Sequence, residues 1–223
     1  MDEGLNDDFS LSVMIDTAPM DWQASPSPTV WRKRLDRAGP AEAGRVTSVV
    51  RYDAQSRFGP HPHPDGEEIL VLEGVISDHT GDYPAGSYLL NPEGFEHGPF
   101  SDDGCLLFVK LRQYPGNNRQ HVLLKTAAMA WTATGEHGVE VKTLYHEAGH
   151  SEHVRLLRLD ARTVLRLDDT GGIELFVMEG ALEADGQTLV SGAWLRSPPG
   201  GAVALTANQE STLYLKTGHL DDV

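Results

Sequence analysis

The sequence predicts an all-β protein made of two tandem copies of one barrel-like domain, and three observations support this. Twenty-three glycines and 13 prolines divide the 223 residues into short segments. These segments are apolar and often β-branched, as strands are. Residues also recur at a nearly constant spacing along the chain. Many short strands between glycine turns are typical of a sandwich or barrel, and a jelly-roll closure would remove exposed strand edges.

The internal repeat is clearest in a six-residue motif. T-A-P-M-D-W at residues 17–22 returns as T-A-A-M-A-W at residues 126–131, a spacing of 109. Further along, the spacing settles at 106, which pairs Glu68 with Glu174, so the second copy is three residues shorter. The repeat predicts three segments, which are an N-terminal arm at 1–16, a first barrel at 17–115 and a second barrel at 116–223.

The strands of the first copy are predicted from its apolar and β-branched runs. In chain order these runs are Val46–Tyr52, Ile69–Leu72, Val75–Ser77, Ser87–Leu90 and Leu106–Leu111. Gly74 separates the second run from the third and is expected to form a turn. The best helix candidate is residues 126–131, although Pro19 in the first copy of that motif argues against a helix.

Charge and cysteine content exclude several classes of partner. The net charge of −15 opposes binding to nucleic acid and to anionic membranes, both of which need a basic surface. Cys105 is the one cysteine, so no internal disulfide can form and a reducing compartment is expected. The acidic N-terminus lacks the pattern of a secretory signal. These features predict a cytoplasmic protein with no nucleic-acid or membrane partner.

A metal site is predicted where histidines and a carboxylate cluster around residues 59–74. His61 and His63 are two residues apart, so on an extended strand they project from the same face. Glu67 follows after a turn segment, and His97 comes after a further strand and turn. Neutral imidazoles with one carboxylate form a ligand set for borderline divalent metals, and zinc, Fe(II) and Mn(II) all fit it.

The choice of carboxylate is made by the repeat, because Glu68 competes with Glu67 for the ligand position. In the second copy Ile173 replaces Glu67, whereas Glu174 retains the position of Glu68. A carboxylate retained where the histidines are gone is structural. Glu67 is therefore the predicted ligand.

The second barrel is predicted to bind no metal at the equivalent place. Its residues at the four ligand positions are Leu167, Asp169, Ile173 and Val203. None of them is a histidine, so we expect this barrel to serve as a scaffold for the first. A pocket for an apolar small molecule is the alternative.

The spacing of these residues resembles a known superfamily. The patterns H-x-H-x3-E-x6-G and G-x5-P-x-G-x2-H match both signature motifs of the cupins, except that Ser101 stands where an asparagine is often found. Residues 31–111 further resemble the cupin domain of ChrR-type anti-sigma factors. The resemblance implies two tandem double-stranded β-helix barrels of jelly-roll type, with His61, His63, Glu67 and His97 as ligands. It favours one zinc ion per chain, with iron or manganese as alternatives.

Two functions follow from the resemblance. The first is a ChrR-like regulatory or sensory protein. ChrR proteins carry an N-terminal zinc-binding anti-sigma domain, but residues 1–20 hold no cysteine or histidine, so sigma-factor binding is not expected. The alternative is a cupin dioxygenase or lyase acting on a small organic substrate such as a diketone or flavonoid. Phe58, Phe95 and Phe100 are candidate walls of its pocket, and cupins commonly pair as homodimers.

A second histidine motif matches a protease signature. Residues 146–150 read H-E-A-G-H, the pattern of zinc metalloproteases, which requires both histidines on one helical face. A strand is predicted just before it, and Gly149 falls inside the supposed helical turn. We therefore expect a solvated loop.

The one basic cluster lies at residues 31–37, W-R-K-R-L-D-R. On a strand its charges alternate between the two sides. A solvated sheet edge is expected there rather than an anion site.

Overall fold

The computed structural model describes residues 4–116 and 118–220 and confirms the all-β prediction. The first three residues of the predicted arm, residue 117 and the last three residues of the predicted second barrel lie outside the described residues. Within the described chain the one helical element is a 3-10 turn at Thr126–Ala128, where a helix over 126–131 was the candidate. No helix in these ranges is long and apolar enough to cross a membrane.

The described residues form 23 strands, most of them short. In chain order they are β1 (Val13–Asp16), β2 (Gln23–Ala24), β3 (Val30–Ala38), β4 (Arg45–Tyr52), β5 (Ser56–Arg57), β6 (His61–Pro62), β7 (Glu67–Asp78), β8 (Gly81–Pro84), β9 (Ser87–Asn91), β10 (Glu96–His97), β11 (Phe100–Ser101), β12 (Cys105–Leu111), β13 (Val122–Lys125), β14 (Thr132–Ala133), β15 (Val139–His146), β16 (His153–Leu159), β17 (Val164–Asp168), β18 (Ile173–Glu179), β19 (Ala181–Ala184), β20 (Gln187–Val190), β21 (Ala193–Ser197), β22 (Ala202–Ala207) and β23 (Ser211–Thr217).

The first compact unit contains residues 4–7 and Asp21–Ala128. Its main antiparallel sheet has the strand order β13-β9-β7-β12-β4-β3-β2. Through β7 the sheet continues into the short strands β8, β11 and β5, and β6 pairs separately with β10. Apolar side chains such as Val50, Ile69 and Leu107 point into the interior. The jelly-roll prediction is confirmed for this unit.

The second compact unit contains Asp8–Met20 and residues 129–220. A seven-stranded sheet, β1-β21-β18-β23-β16-β15-β14, faces a four-stranded sheet, β17-β22-β19-β20. The buried core cluster of this unit consists of valine, leucine, isoleucine and alanine side chains. Each half of the chain thus folds into one barrel of the same type.

Each unit takes an edge strand from outside its own predicted segment. β1, at the start of the chain, pairs with β21, whereas β13, which precedes the second copy of the motif, pairs with β9. The compact units therefore differ from the predicted segments. Residues 8–20 pack with the second barrel and residues 118–128 with the first, because β1 and β13 each cover a sheet edge that would otherwise be open.

The repeated motif anchors these strands. The Thr17 hydroxyl donates a hydrogen bond to the carbonyl of Gly192 at 2.7 Å, and the Thr126 hydroxyl donates to the carbonyl of Gly86 at 2.6 Å. Both glycines have positive φ, so their carbonyls are presented by tight turns. The threonines of the repeat are thus structural residues.

The tryptophan of the motif has an equally structural role. Trp22 contacts both Lys33 and Arg51, whose cationic groups are 4.5 and 4.7 Å from a ring centre. Such cation–π contacts favour a fixed position for all three side chains. The second unit repeats the arrangement with Trp131, Lys142 and Arg158.

Gly74 lies inside a continuous strand, so the predicted turn at this position was wrong. β7 runs through two predicted segments, and its pairing with β12 shifts by one residue between Leu106 and Leu107. Gly74 has a φ of 71°, and a Cβ atom there would lie 2.2 Å from the carbonyl oxygen of Gly104. The glycine therefore permits a bulge that bends β7 from one sheet into the next.

Candidate metal centre

Two short strands and the start of a long one bring the four predicted ligands together. His61 and His97 are register partners in the β6–β10 pair. His63 follows β6 directly, and Glu67 is the first residue of β7. One ring nitrogen from each histidine lies within 4.8 Å of the other two. Glu67 Oε2 is 3.4 Å from both His63 Nε2 and His97 Nε2.

The ring nitrogens are oriented as a metal requires. His61 Nδ1 lies 2.8 Å from the Gly59 carbonyl, and His97 Nδ1 lies 2.9 Å from Asp78 Oδ2. Both partners are acceptors, so each Nδ1 carries the proton and each Nε2 presents a lone pair. Among the described residues, no hydrogen-bond partner satisfies the buried Nε2 atoms of His63 and His97. Such orphaned buried nitrogens fit coordination to an ion.

The protonation states of Glu67 and His63 also fit a metal site. Burial alone would raise the pKa of Glu67, but His63, His97 and the Asn91 amide outweigh it and hold that pKa at about 2. Burial lowers the pKa of His63 despite the nearby Glu67 carboxylate. At neutral pH the carboxyl is therefore ionised and the His63 imidazole is neutral, which are the forms that bind metals. At His97 burial lowers the pKa, but the Glu67 and Asp78 carboxylates outweigh it and raise that pKa, so a metal ion would compete with a proton there.

Two residues that the sequence reasoning missed support the ligands. Asp78 holds the His97 ring, and Asn91 Nδ2 donates to Glu67 Oε2 at 2.9 Å. The repeat contains a signal for both, because at the spacing of 106 they correspond to Ala184 and Ser197. Like the histidines, they are lost from the second copy. Partners of this kind fix the orientation of a metal ligand.

Residues at both ends of β7 contact the His97 ring. Glu67 begins β7 and Asp78 ends it, yet both carboxylates approach the same imidazole ring. A straight strand of this length would separate its ends by roughly 35 Å. The bend at Gly74 therefore makes the cluster possible.

The cluster opens into a cavity of about 390 Å³ inside the first barrel. His61, His63 and Glu67 line one part of it. Most of the remaining wall is apolar, with Val50 and Leu107 among its residues. This volume lies within the range of about 300–1,000 Å³ that is typical of small-molecule sites.

The three candidate phenylalanines occupy different places. Phe58 lines the cavity, and its ring centre is 4.8 Å from that of His61. Phe95 packs edge-on against the His97 ring at 5.6 Å. Phe100 lies under the exposed Arg57 guanidinium. Of the three, Phe58 is the cavity wall.

The ligand positions of the second unit are occupied by barrel core. Ile173 and Val203 are buried in its aliphatic cluster, and Leu167 packs against it. Asp169 accepts a hydrogen bond from the backbone nitrogen of Gly171 at 2.9 Å. The one group of three or more histidines, cysteines or acids placed for a metal, within the described ranges, is the histidine cluster of the first unit.

The protease-like motif does not form a helix. His146 ends β15, residues 147–150 form a turn, and the His146 ring centre lies 4.7 Å from that of His153 on the neighbouring strand, with the two rings tilted. The spacing of four residues therefore does not place His146 and His150 on one helical face. This agrees with the expected loop.

The basic cluster is not a solvated edge, so that expectation was wrong. The side chains of Arg32 and Arg34 are only 17% and 12% exposed, and both bind Glu42. Alternation along β3 turns Val30 and Arg32 toward the cavity and Lys33 toward Trp22 on the opposite face.

Comparison with protein families gives two matches along the chain. A family model described as the ChrR cupin-like domain matches residues 10–115 and again residues 119–221. Together these segments cover nearly all of the sequence. Comparison with curated protein sequences gives no match.

Solved structures share the fold at low sequence identity. Ylba from E. coli is 14% identical with a TM-score of 0.73, covering 96% of this chain and 94% of that chain. Bacterial pirin YhhW from Escherichia coli, in complex with nickel(II), is 14% identical with a TM-score of 0.70, covering 93% and 98%. A salicylate 1,2-dioxygenase from Pseudaminobacter salicylatoxidans is 15% identical with a TM-score of 0.62, covering 94% and 84%.

The ligand assignment predicts opposite behaviour for two equivalent residues. His97→Ala removes one imidazole and should abolish metal binding, whereas Val203→Ala should leave the metal content unchanged. The second change should cost about 2 kcal/mol of stability, because Val203 is core. Elemental analysis of the purified variants gives the metal-to-protein ratio, and loss of metal from the Val203 variant would refute the assignment.

The support from Asp78 predicts a weaker effect on the same site. Asp78→Asn removes the charge that holds His97 and should weaken metal binding about tenfold or more. Competition with a chelator measures the affinity, and thermal unfolding of the metal-free protein checks the fold. The control is Asp102→Asn, an exposed carboxylate paired with Arg57. Equal affinities in the two variants would contradict a role for Asp78.

Proposed function

Because the chain belongs to the ChrR cupin-like family, we propose that its first barrel is a metal-dependent enzyme site for a small organic substrate. One divalent ion per chain is held by His61, His63, Glu67 and His97. The reaction class is that of a cupin dioxygenase or a related lyase.

The observation that carries this proposal is the cavity beside the ligands. A structural metal site is closed by its protein ligands, whereas a catalytic site leaves access for a substrate. A metal that only stabilised the barrel would need no cavity of about 390 Å³ against its ligands. The second barrel, whose ligand positions hold Ile173 and Val203, forms its core without such a site.

A divalent ion bound there would supply Lewis-acid chemistry to a substrate oxygen, and a redox-active ion would also supply the electron transfer that oxygenation needs. The residues of the chain do the rest. Asp78 and the Gly59 carbonyl keep the histidine rings oriented. Glu67 is ionised, which is the form that would hold the ion. The apolar wall excludes water from the bound substrate.

A sensory role is the second candidate, and the family match favours it. Both halves of the chain match the cupin-like domain of ChrR. In this role the ion, with zinc as the favoured metal, would be bound tightly and would report its presence or the presence of a cavity ligand. The same four ligands serve both candidates, so turnover separates them.

Oxygen uptake tests the enzyme proposal. The protein loaded with Fe(II) should consume dioxygen when given a member of a panel of diketones, flavonoids and small aromatic carboxylates that includes pentane-2,4-dione, quercetin and salicylate. His61→Ala should reduce the rate by about 100-fold or more, because it removes a metal ligand. Val203→Ala, with its metal site intact, is the matched control.

Two results together would overturn the enzyme proposal in favour of the sensor. They are the absence of turnover across the whole panel and one stoichiometric zinc ion that resists exchange. Protein produced in metal-balanced medium and analysed for its elements supplies the second observation.

A further inference from the structure

A carboxylate-binding arrangement lies in the wall of the cavity. Arg32, on β3, lines the cavity together with Glu42 from the segment between β3 and β4. The two terminal nitrogens of Arg32 donate to the two oxygens of Glu42 at 3.0 and 2.9 Å. This is the bidentate geometry with which a guanidinium recognises a carboxylate.

A second arginine strengthens the arrangement. Arg34 Nη2 donates to Glu42 Oε1 at 3.0 Å, so one carboxylate is shared by two guanidinium groups. The Arg32 hydrogen bond lowers the pKa of Glu42, which keeps that carboxyl charged. The three groups together carry one net positive charge, in a protein whose overall charge is −15.

Comparison of the two copies of the repeat distinguishes Arg32 and Arg34 from the structural residues of the same strand. At the spacing of 109, Lys33 is retained as Lys142, and both contact a tryptophan ring. The flanking arginines are not retained, because their counterparts are Val141 and Thr143. Arg32 and Arg34 are thus absent from the copy that lacks the histidines.

Arg112 adds a further basic group to the cavity wall. It has a φ of 57°, an uncommon conformation for a residue with a side chain, and its counterpart in the second copy is Gly218 with a φ of 73°. Its nearest described acidic partner is Asp65, at 3.6 Å. An arginine retained in a backbone conformation that suits glycine is more typical of a functional position than of a structural one.

From these observations we infer that the cavity binds small organic carboxylates with an aromatic or branched aliphatic body, and that Arg32 binds the carboxylate group. Glu42 occupies this position in the free protein and is displaced by the ligand. The apolar wall receives the body of the ligand. This inference rests on the proposed function, since it names the substrate class of the same cavity.

Matched acid and amide probes test the inference. Binding of benzoate, benzamide, isovalerate and isovaleramide to the zinc-loaded protein is measured by titration with NMR detection. Each acid should bind about tenfold more tightly than its amide, as a charge-assisted pair requires. Arg32→Gln should remove this preference without changing the metal content.

The second variant should act in the opposite direction. Glu42→Gln removes the internal competitor and should tighten acid binding by about tenfold while leaving amide binding unchanged. Arg57→Gln, which alters an exposed arginine away from the cavity wall, is the control and should behave like the parent protein.

The outcomes distinguish this inference from the proposed function. Equal binding of acids and amides, or weaker acid binding after Glu42→Gln, would overturn the inference. A normal metal content in the same protein would show that the metal site itself is intact. Failure to load any metal would overturn the proposed function. The acid preference can still be measured on the metal-free protein, and its presence there would support the role of Arg32.

Discussion

The metal centre depends on the curvature of strand β7. One strand supplies a predicted ligand at its first residue, Glu67, and the residue that orients His97 at its last, Asp78. Both reach the same ring because the strand bends at Gly74, where a side chain would collide with a neighbouring backbone carbonyl. The sheet thus closes around the site, and the same closure creates the cavity in front of it. The bend of β7 at Gly74 thus determines both the closure of the barrel and the position of the site.

The duplicated chain contains its own comparison of structural and functional residues. Positions filled alike in both copies hold the barrels together, as Trp22 and Thr17 do with their counterparts Trp131 and Thr126. The positions that differ include the residues of the candidate metal centre and the arginines of its cavity. The second barrel fills three of its four ligand positions with apolar side chains that belong to its core or pack against it. The second copy therefore keeps the architecture of the barrel without the candidate metal site of the first.

The sequence predicted the fold class, the duplication and the cluster of four residues, because periodicity and spacing can be read directly from the order of the residues. It did not predict features that depend on tertiary closure. Asp78 meets His97 only because β7 bends, and β1 near the start of the chain pairs with β21 near its end. Likewise, strand alternation placed Arg32 opposite Lys33 but did not show which side faced the cavity. Each of these features requires a contact between distant segments.

The most direct test of the account is the location of the bound ion. Anomalous diffraction from crystals of the metal-loaded protein would give one peak per chain, between the Nε2 atoms of His61, His63 and His97 and the Glu67 carboxylate, beside the cavity. A strong peak in the second barrel, or a peak in the first barrel away from these four residues, would contradict the central claim that one copy holds the metal and the other does not.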